Sequence, residues 1–339
     1  MNNTLETKYA VFPFFEQVDN FSKKKDVDSV KIFENNNPNA IITIAIPTCN
    51  RARTLKDAVE SALDQKEFED YCVLVVDDNG IRDDETELFM AQYRSNPRVS
   101  YYKNTSNLAM AGNFNRIAEL SETELIVILH DDDILSPYYL KKIYPFAVLH
   151  DADIITVDTI TWEETNEPRP VFEDKTNVSY VRMKPSYMFN FCYCLPSGML
   201  IRKNVILDEG GFDARLHPSI DYIFLTKAFF KYRAFRHKEK MLIYRWAENV
   251  SIKLESQKLF IYIDHYFRIQ LGKKLNYPEW YIKFVCKKDA QIRYKRITED
   301  YGPQEIYLEG KRLTYPSTPW RIAYKLYDII EYYRYRLGL

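Results

Sequence analysis

Strand-length apolar runs alternate with helical segments from residue 40 onward, and few folds accommodate that pattern. Ile41–Ile46, Val73–Val76, Val99–Tyr102 and Leu125–Leu129 are rich in β-branched residues and too short to be helices. Between them, Thr54 caps a predicted helix to about Asp64, with Asp57 at its third helical position. A polar helix is expected over 84–95 and another over Asn107–Leu120. Ser136-Pro137 opens a further one, with Ser as cap and Pro at the first position. Continuous apolar strands separated by helices predict an α/β fold, a mostly parallel central sheet covered on both faces. Ile154–Val157, Ser197–Arg202 and Met241–Tyr244 read as additional strands, 158–186 as polar loop and Ile220–Lys231 as helix.

Two of the runs end in acidic clusters, at the sheet edge where open α/β folds bind ligands. Asp131-Asp132-Asp133 follows the fourth run. Three adjacent carboxylates repel one another, and a divalent cation with oxygen ligands would relieve the repulsion. The other reading is a solvated turn that favours the next helix through its dipole. Asp77-Asp78 ends the second run, either to accept from a nucleobase N–H or ribose hydroxyl, or as a plain turn before Gly80. Pro47-Thr48-Cys49-Asn50-Arg51 follows the first run. It either lines a base pocket, with Arg51 or Arg53 reaching a phosphate, or is an ordinary strand-to-helix loop.

Composition excludes several classes. Gly is scarce, at 9 of 339 residues, and no Gly-x-Gly occurs, which rules out the usual dinucleotide fingerprint and the phosphate loop. A net charge of -1 is not that of a nucleic-acid binder. The five Cys are scattered without a CxxC, so reduced thiols are expected, with no second pair to match Cys192/Cys194. No apolar stretch is long enough to cross a membrane, and the segment MNNTLETKYAVF lacks the features of a signal peptide.

The segments IAIPTCNRARTLKDAVESALDQ, LVVDDNG, NLAMAGNFNRIAEL, LIVILHDDDILSP and GGFDARLHPSIDYIFLTKAF, in that order, resemble the family 2 glycosyltransferases. The resemblance runs from about 41 to about 251. It implies the GT-A nucleotide-sugar-binding fold, an inverting mechanism and a UDP-sugar donor. Pro47, Thr48, Asn50 and Arg51 would then belong to the donor site, with Asp78 accepting from the N3–H of uracil. Asp131 and Asp132 match the metal and diphosphate site. Asp132 and Asp133 would be ligands of Mn²⁺ or Mg²⁺, and Arg245 would contact the diphosphate. Ser197-Gly198 would floor the donor-sugar and acceptor site, and Gly210-Gly211-Phe212-Asp213 would lead to Asp221, at the position of the catalytic base.

Three features depart from the family pattern. The residue before the base is Ile220, the usual first Asp of the metal motif is His130, and no His stands near Tyr244–Asn249. The acceptor implied is a glycan or lipid-linked glycan in bacterial surface polysaccharide assembly, capsule or lipopolysaccharide, in the cytoplasm or at the inner face of the cell membrane. A nucleotidyltransferase would need comparable carboxylates but also a Gly-rich, Lys-containing loop that is missing. A non-catalytic binding or assembly subunit would have no need of Asp132 and Asp221.

The expected division is an N-terminal extension (1–39), a catalytic domain (40–255) and a helical, basic, aromatic-rich C-terminal region (256–339). Residues 256–339 hold 16 Lys or Arg against 9 Asp or Glu, whereas 1–255 hold 31 against 39. Within 317–337, Ala323, Leu326, Ile330, Tyr333 and Leu337 recur on one stripe of a predicted helix. That stripe would either pack on protein or lie on an anionic membrane surface.

Overall fold

The computed structural model describes residues 2–35, 37–176, 179–192, 194–246 and 253–337. A short helix α1 (Asn2–Ala10) and strand β1 (Ser29–Phe33) come first. The expected alternation follows as β2 (Ile42–Thr48), α2 (Ala52–Leu63), β3 (Tyr71–Asp77), α3 (Glu85–Met90), β4 (Val99–Asn104), α4 (Ala109–Leu120) and β5 (Leu125–Ile128). A two-residue strand, β6 (Ile134–Leu135), precedes α5 (Tyr139–His150) and the longer β7 (Ile154–Trp162). Then come β8 (Tyr180–Arg182), α6 (Pro185–Asn190), β9 (Met199–Arg202), α7 (Lys203–Asp208), α8 (Ile220–Ala228) and β10 (Ala234–Arg245). The remainder is α9 (Leu254–Lys274), α10 (Glu279–Tyr301), the small hairpin β11 (Tyr307–Leu308) and β12 (Lys311–Arg312), and α11 (Thr318–Leu337).

The main sheet runs β1-β4-β3-β2-β5-β9-β7-β10-β6, with β8 also on β10. The strands β4, β3, β2 and β5 are parallel, as are β7 and β10. β9 lies antiparallel between β5 and β7. It is reached from β7 by an excursion with no crossover helix returning it in the same direction, and such neighbours pair antiparallel. β1, β6 and β8 are antiparallel as well.

Strand residues alternate between two buried faces. Ile44, Ile46, Val73 and Val75 pack under α2 and α5, together with Leu55, Val59 and Leu140. Ala45, Leu74, Val76, Ile126 and Ile128 face the opposite way, against Phe114 of α4 and Ile223 of α8. Tyr9, Phe12 and Phe14 from the N-terminal segment join this second layer, as do Phe267 and Val285 of the C-terminal helices. Each fully buried aliphatic side chain contributes ~1.5–3 kcal/mol. The terminal segments therefore share a core with 40–255.

Several local expectations are corrected. α2 starts at Ala52, not at a Thr54 cap; Asn50 takes a left-handed φ of 56° and turns the chain early. The Thr54 hydroxyl instead donates to Arg51 O at 3.4 Å. α5 starts at Tyr139, two residues later than the Ser136-Pro137 signal, because β10 holds the preceding segment as β6, with Ser136 N donating to Met241 O at 2.9 Å. The stretch 158–186 is not all loop. β7 continues to Trp162 beside Arg245 of β10, and β8 and α6 follow.

Candidate active site

Pro47 has no N–H to donate and sits where β2 has outrun β5, which pairs only with Ile42–Ala45. Thr48 ends the strand, and its carbonyl accepts from Asp78 N at 2.8 Å. This bond brings the ends of β2 and β3 together. Exposed Asn50 accepts from Asn79 Nδ2 at 2.7 Å, joining the two loops a second time. Asp78 is buried, and its Oδ1 accepts from Leu108 N at 2.7 Å and Asn104 Nδ2 at 2.9 Å. Burial raises its pKa despite these bonds. Neighbouring Asp77 accepts from Tyr101 and from Lys103 at 2.8 Å, entirely inside the protein.

The acidic triplet forms the turn after β5 and meets the β2 end directly. The Thr48 hydroxyl donates to Asp131 Oδ2 at 2.7 Å. Arg51 Nη1 donates to Asp131 Oδ1 at 3.1 Å and to Asp132 Oδ2 at 2.7 Å. Burial pushes Asp131 up to about 6, with the Arg51 charge acting against it. Asp133 is fully buried and is pushed up to about 8 by burial and by the Asp132 charge. Its Oδ1 accepts from Arg245 N at 3.1 Å. Its Oδ2 is buried without a hydrogen-bond partner among the described residues, as is His130 Nε2. His130, Asp132 and Asp133 each offer a ligand atom within 4.8 Å of the others. Two orphaned buried atoms beside crowded carboxylates fit a hard divalent cation of the Mg²⁺ or Mn²⁺ type.

Asp221 lies half-buried in the first turn of α8. Burial pushes it up to about 6, opposed by the backbone N–H groups of Tyr222 and its own residue. The Ser219 hydroxyl donates to Asp264 Oδ1 of α9 at 2.6 Å, and Asp264 Oδ2 accepts from Arg293 of α10 at 2.7 Å. The C-terminal helices therefore hold the start of α8. No hydrogen bond joins Asp221 to the triplet among the described residues. A series of ring contacts does connect the two regions: His130 stacks on Phe114 at 5.7 Å, Phe114 meets Phe212 at 5.2 Å, and Phe212 stacks on Phe224 of α8 at 4.2 Å. Asn115 clamps the Gly210–Asp213 loop, accepting from Phe212 N at 2.7 Å and donating to Phe212 O at 3.0 Å. Gly211 is required there, since its φ is +80° and a Cβ would lie 2.6 Å from Asn115 Oδ1.

A sequence model described as Glycosyl transferase family 2 matches residues 43–209, from β2 through the triplet to the end of α7. That match places residues 43–209 in the family 2 glycosyltransferases. An uncharacterized glycosyltransferase of Methanocaldococcus jannaschii, MJ1057, is 24% identical over 227 residues, covering 66% of this chain and 77% of its own. Among solved structures, S. aureus TarS 1-349 in complex with UDP-GlcNAc matches with a TM-score of 0.54 at 16% identity, over 77% of this chain and 74% of that one. Mannosyltransferase PcManGT from Pyrobaculum calidifontis, in complex with GDP-Man and Mn²⁺, matches with a TM-score of 0.53 at 12% identity, over 99% and 92%. This glycosyltransferase therefore has the GT-A fold, with a helical C-terminal part.

The Arg245 guanidinium is taken up inside the protein. It is 1% exposed; Nε donates to Asp132 O at 2.9 Å, Nη1 pairs with Glu164 at 2.7 Å and Nη2 pairs with Asp57. The Trp162 ring lies 4.9 Å from it. β10 carries Arg245 behind the triplet, where it braces the turn. Asp57, expected at the third helical position after a Thr54 cap, is its partner. His130, which departs from the family motif, faces the carboxylates. The Ser197 hydroxyl accepts from His130 N at 3.1 Å, so Ser197 ties the triplet to the chain ahead of β9. Residues 247–249, where a family His was sought, lie outside the described residues.

Proposed function

We propose that this glycosyltransferase moves a sugar from a UDP-sugar to a hydroxyl of a glycan or lipid-linked glycan, with inversion at the anomeric carbon. The observation that carries the reading is the convergence of Thr48, Arg51, Asp131 and Asp132 at one sheet edge, with a separate carboxylate of raised pKa at the start of α8. The base would rest on Pro47, Thr48 and Asn50, with Asp78 accepting from a ring N–H. Asp131 would orient the ribose–diphosphate end, and Arg51 would turn from the carboxylates to a phosphate oxygen. His130, Asp132 and Asp133 would hold Mn²⁺ or Mg²⁺, a Lewis acid that neutralises charge on the departing diphosphate.

Inversion requires a single in-line displacement. The acceptor hydroxyl loses its proton to Asp221 as its oxygen bonds to the anomeric carbon, and the electron pair of the broken bond leaves with the diphosphate. The low polarity that raises Asp221 also strengthens it as a base near neutral pH. A cavity of about 440 Å³ is lined by Asp158, Phe191, Cys192, Arg236 and Lys238; neither Asp221 nor the triplet lines it, and we assign it no substrate. Residues 40–255 would supply the chemistry, with 1–39 and 256–339 as supports. The biological setting we favour is surface polysaccharide assembly at the inner face of the cell membrane.

The test is a thermal-shift panel of UDP- and GDP-sugars with and without Mn²⁺, followed by hydrolysis assays on the ligands that bind. UDP-sugars should raise the melting temperature, and more so with Mn²⁺. Stabilisation by GDP-sugars alone reassigns the base pocket, and stabilisation by none removes the proposal.

A further inference from the structure

We infer that the outward face of α11 is a docking surface for an anionic lipid bilayer. The helix is held to the protein by one side only. Tyr324 and Tyr335 are buried there, Tyr324 OH donating to Gln291 at 2.8 Å. Tyr327 OH donates to Asn190 at 2.6 Å. At about 100° per residue these side chains share one half of the helix. Ile322, Leu326, Ile329, Ile330 and Tyr333 fall on the other half, and each is more than half exposed. The stripe seen in the sequence is therefore not the packed one: Leu326, Ile330 and Tyr333 point to solvent, while the side chain of Leu337 lies outside the described residues.

Charge decides what covers this face. α11 has two acids; Glu331 lies against the protein, whereas the Asp328 side chain is 54% exposed but ion-paired. Asp328 pairs with Lys288 of α10, and Glu331 accepts from Asn190 and pairs with Arg334 at 2.9 Å. Exposed Arg321 and Lys325 lie along one edge of the apolar arc, and Arg334 stands at the other. Lys287 sits 4.3 Å over the ring of Trp320, at the start of the helix. An apolar arc edged by cations and cleared of anions matches an acyl layer under anionic headgroups. A water-facing helix would carry its acids outward. Tyr332, beside the arc, also lines the 440 Å³ cavity with Arg236 and Lys238, so the surface adjoins that cavity.

The experiment is flotation of the full chain with phosphatidylcholine vesicles, with and without phosphatidylglycerol, alongside its mass by light scattering. We expect flotation with phosphatidylglycerol vesicles that weakens with added salt. Leu326→Ser/Ile330→Ser should lower partitioning by about tenfold or more, with an unchanged melting temperature because both side chains are exposed. Arg321→Gln/Lys325→Gln keeps the apolar arc and should abolish the preference for phosphatidylglycerol. Absence of flotation with either vesicle overturns the inference. So does a dimer that Leu326→Ser/Ile330→Ser converts to monomer, which would assign the face to a second copy. Neither result bears on donor binding, which the thermal-shift panel reads separately.

Discussion

Arg51 Nη1 lies 2.7 Å from Asp132 Oδ2, the carboxylate proposed to hold the metal, and the same nitrogen reaches Asp131. In this arrangement the guanidinium neutralises the carboxylates that a bound cation would otherwise neutralise. Under the proposed function, loading the site would replace that ion pair and free Arg51 for a phosphate oxygen.

Arg51→Gln should act with opposite signs on two ligands. Removing a positive charge a few ångströms from the site should tighten Mn²⁺ alone by about tenfold, since pairs near a protein surface interact by several kcal/mol before screening. UDP in the presence of Mn²⁺ should bind about tenfold more weakly, because a charge-assisted phosphate contact is lost. Titration calorimetry reads both, and a Mn²⁺ affinity unmoved by the substitution counts against Asp132 as a ligand.

Asp221→Asn keeps the shape of the α8 start but cannot accept the hydroxyl proton. Transfer should fall by about 10²–10⁴-fold while UDP affinity stays at the wild-type value. Near-normal transfer by the variant would move the base to another residue.

The pH profile follows from the burial of the same group. Asp221 must be ionised to act, and burial lifts its pKa from 3.8 to about 6. Turnover should be full above that value and decline as pH falls through it. An acidic limb centred near 4 in kcat would point to a solvated carboxylate instead.

Ser219→Ala tests how the C-terminal helices hold α8. The substitution leaves Asp264 Oδ1 buried without the hydroxyl 2.6 Å away, which should cost about 1–3 kcal/mol in chemical denaturation. A loss within a few tenths of a kcal/mol would mean that the α8 start is fastened by packing alone.

The strands of the sheet were legible because their apolar runs are continuous, and a run such as Val73–Val76 has no stable alternative to a two-sided burial. Asp78 and the triplet stood out as candidates because each follows such a run at the carboxyl edge. Caps were read less well. Thr54 and Ser136 carry a real local preference, but the left-handed turn at Asn50 and the pairing of β6 with β10 overrode it. The α11 stripe was visible as a stripe, yet periodicity marks an apolar face without saying whether protein covers it.

Local chemistry in the chain, then, determined which segments become strands and which carboxylates gather where those strands end, because both depend on neighbours within a few residues. Tertiary structure alone decided the rest. It carried Arg245 behind Asp132 and Asp133, turned His130 toward the carboxylates, and set Asp264 of α9 under Ser219. Those partners are 45 or more residues apart, apart from the His130 turn. The choice among such pairings is made by the shape and charge of the folded interior, which no single segment encodes.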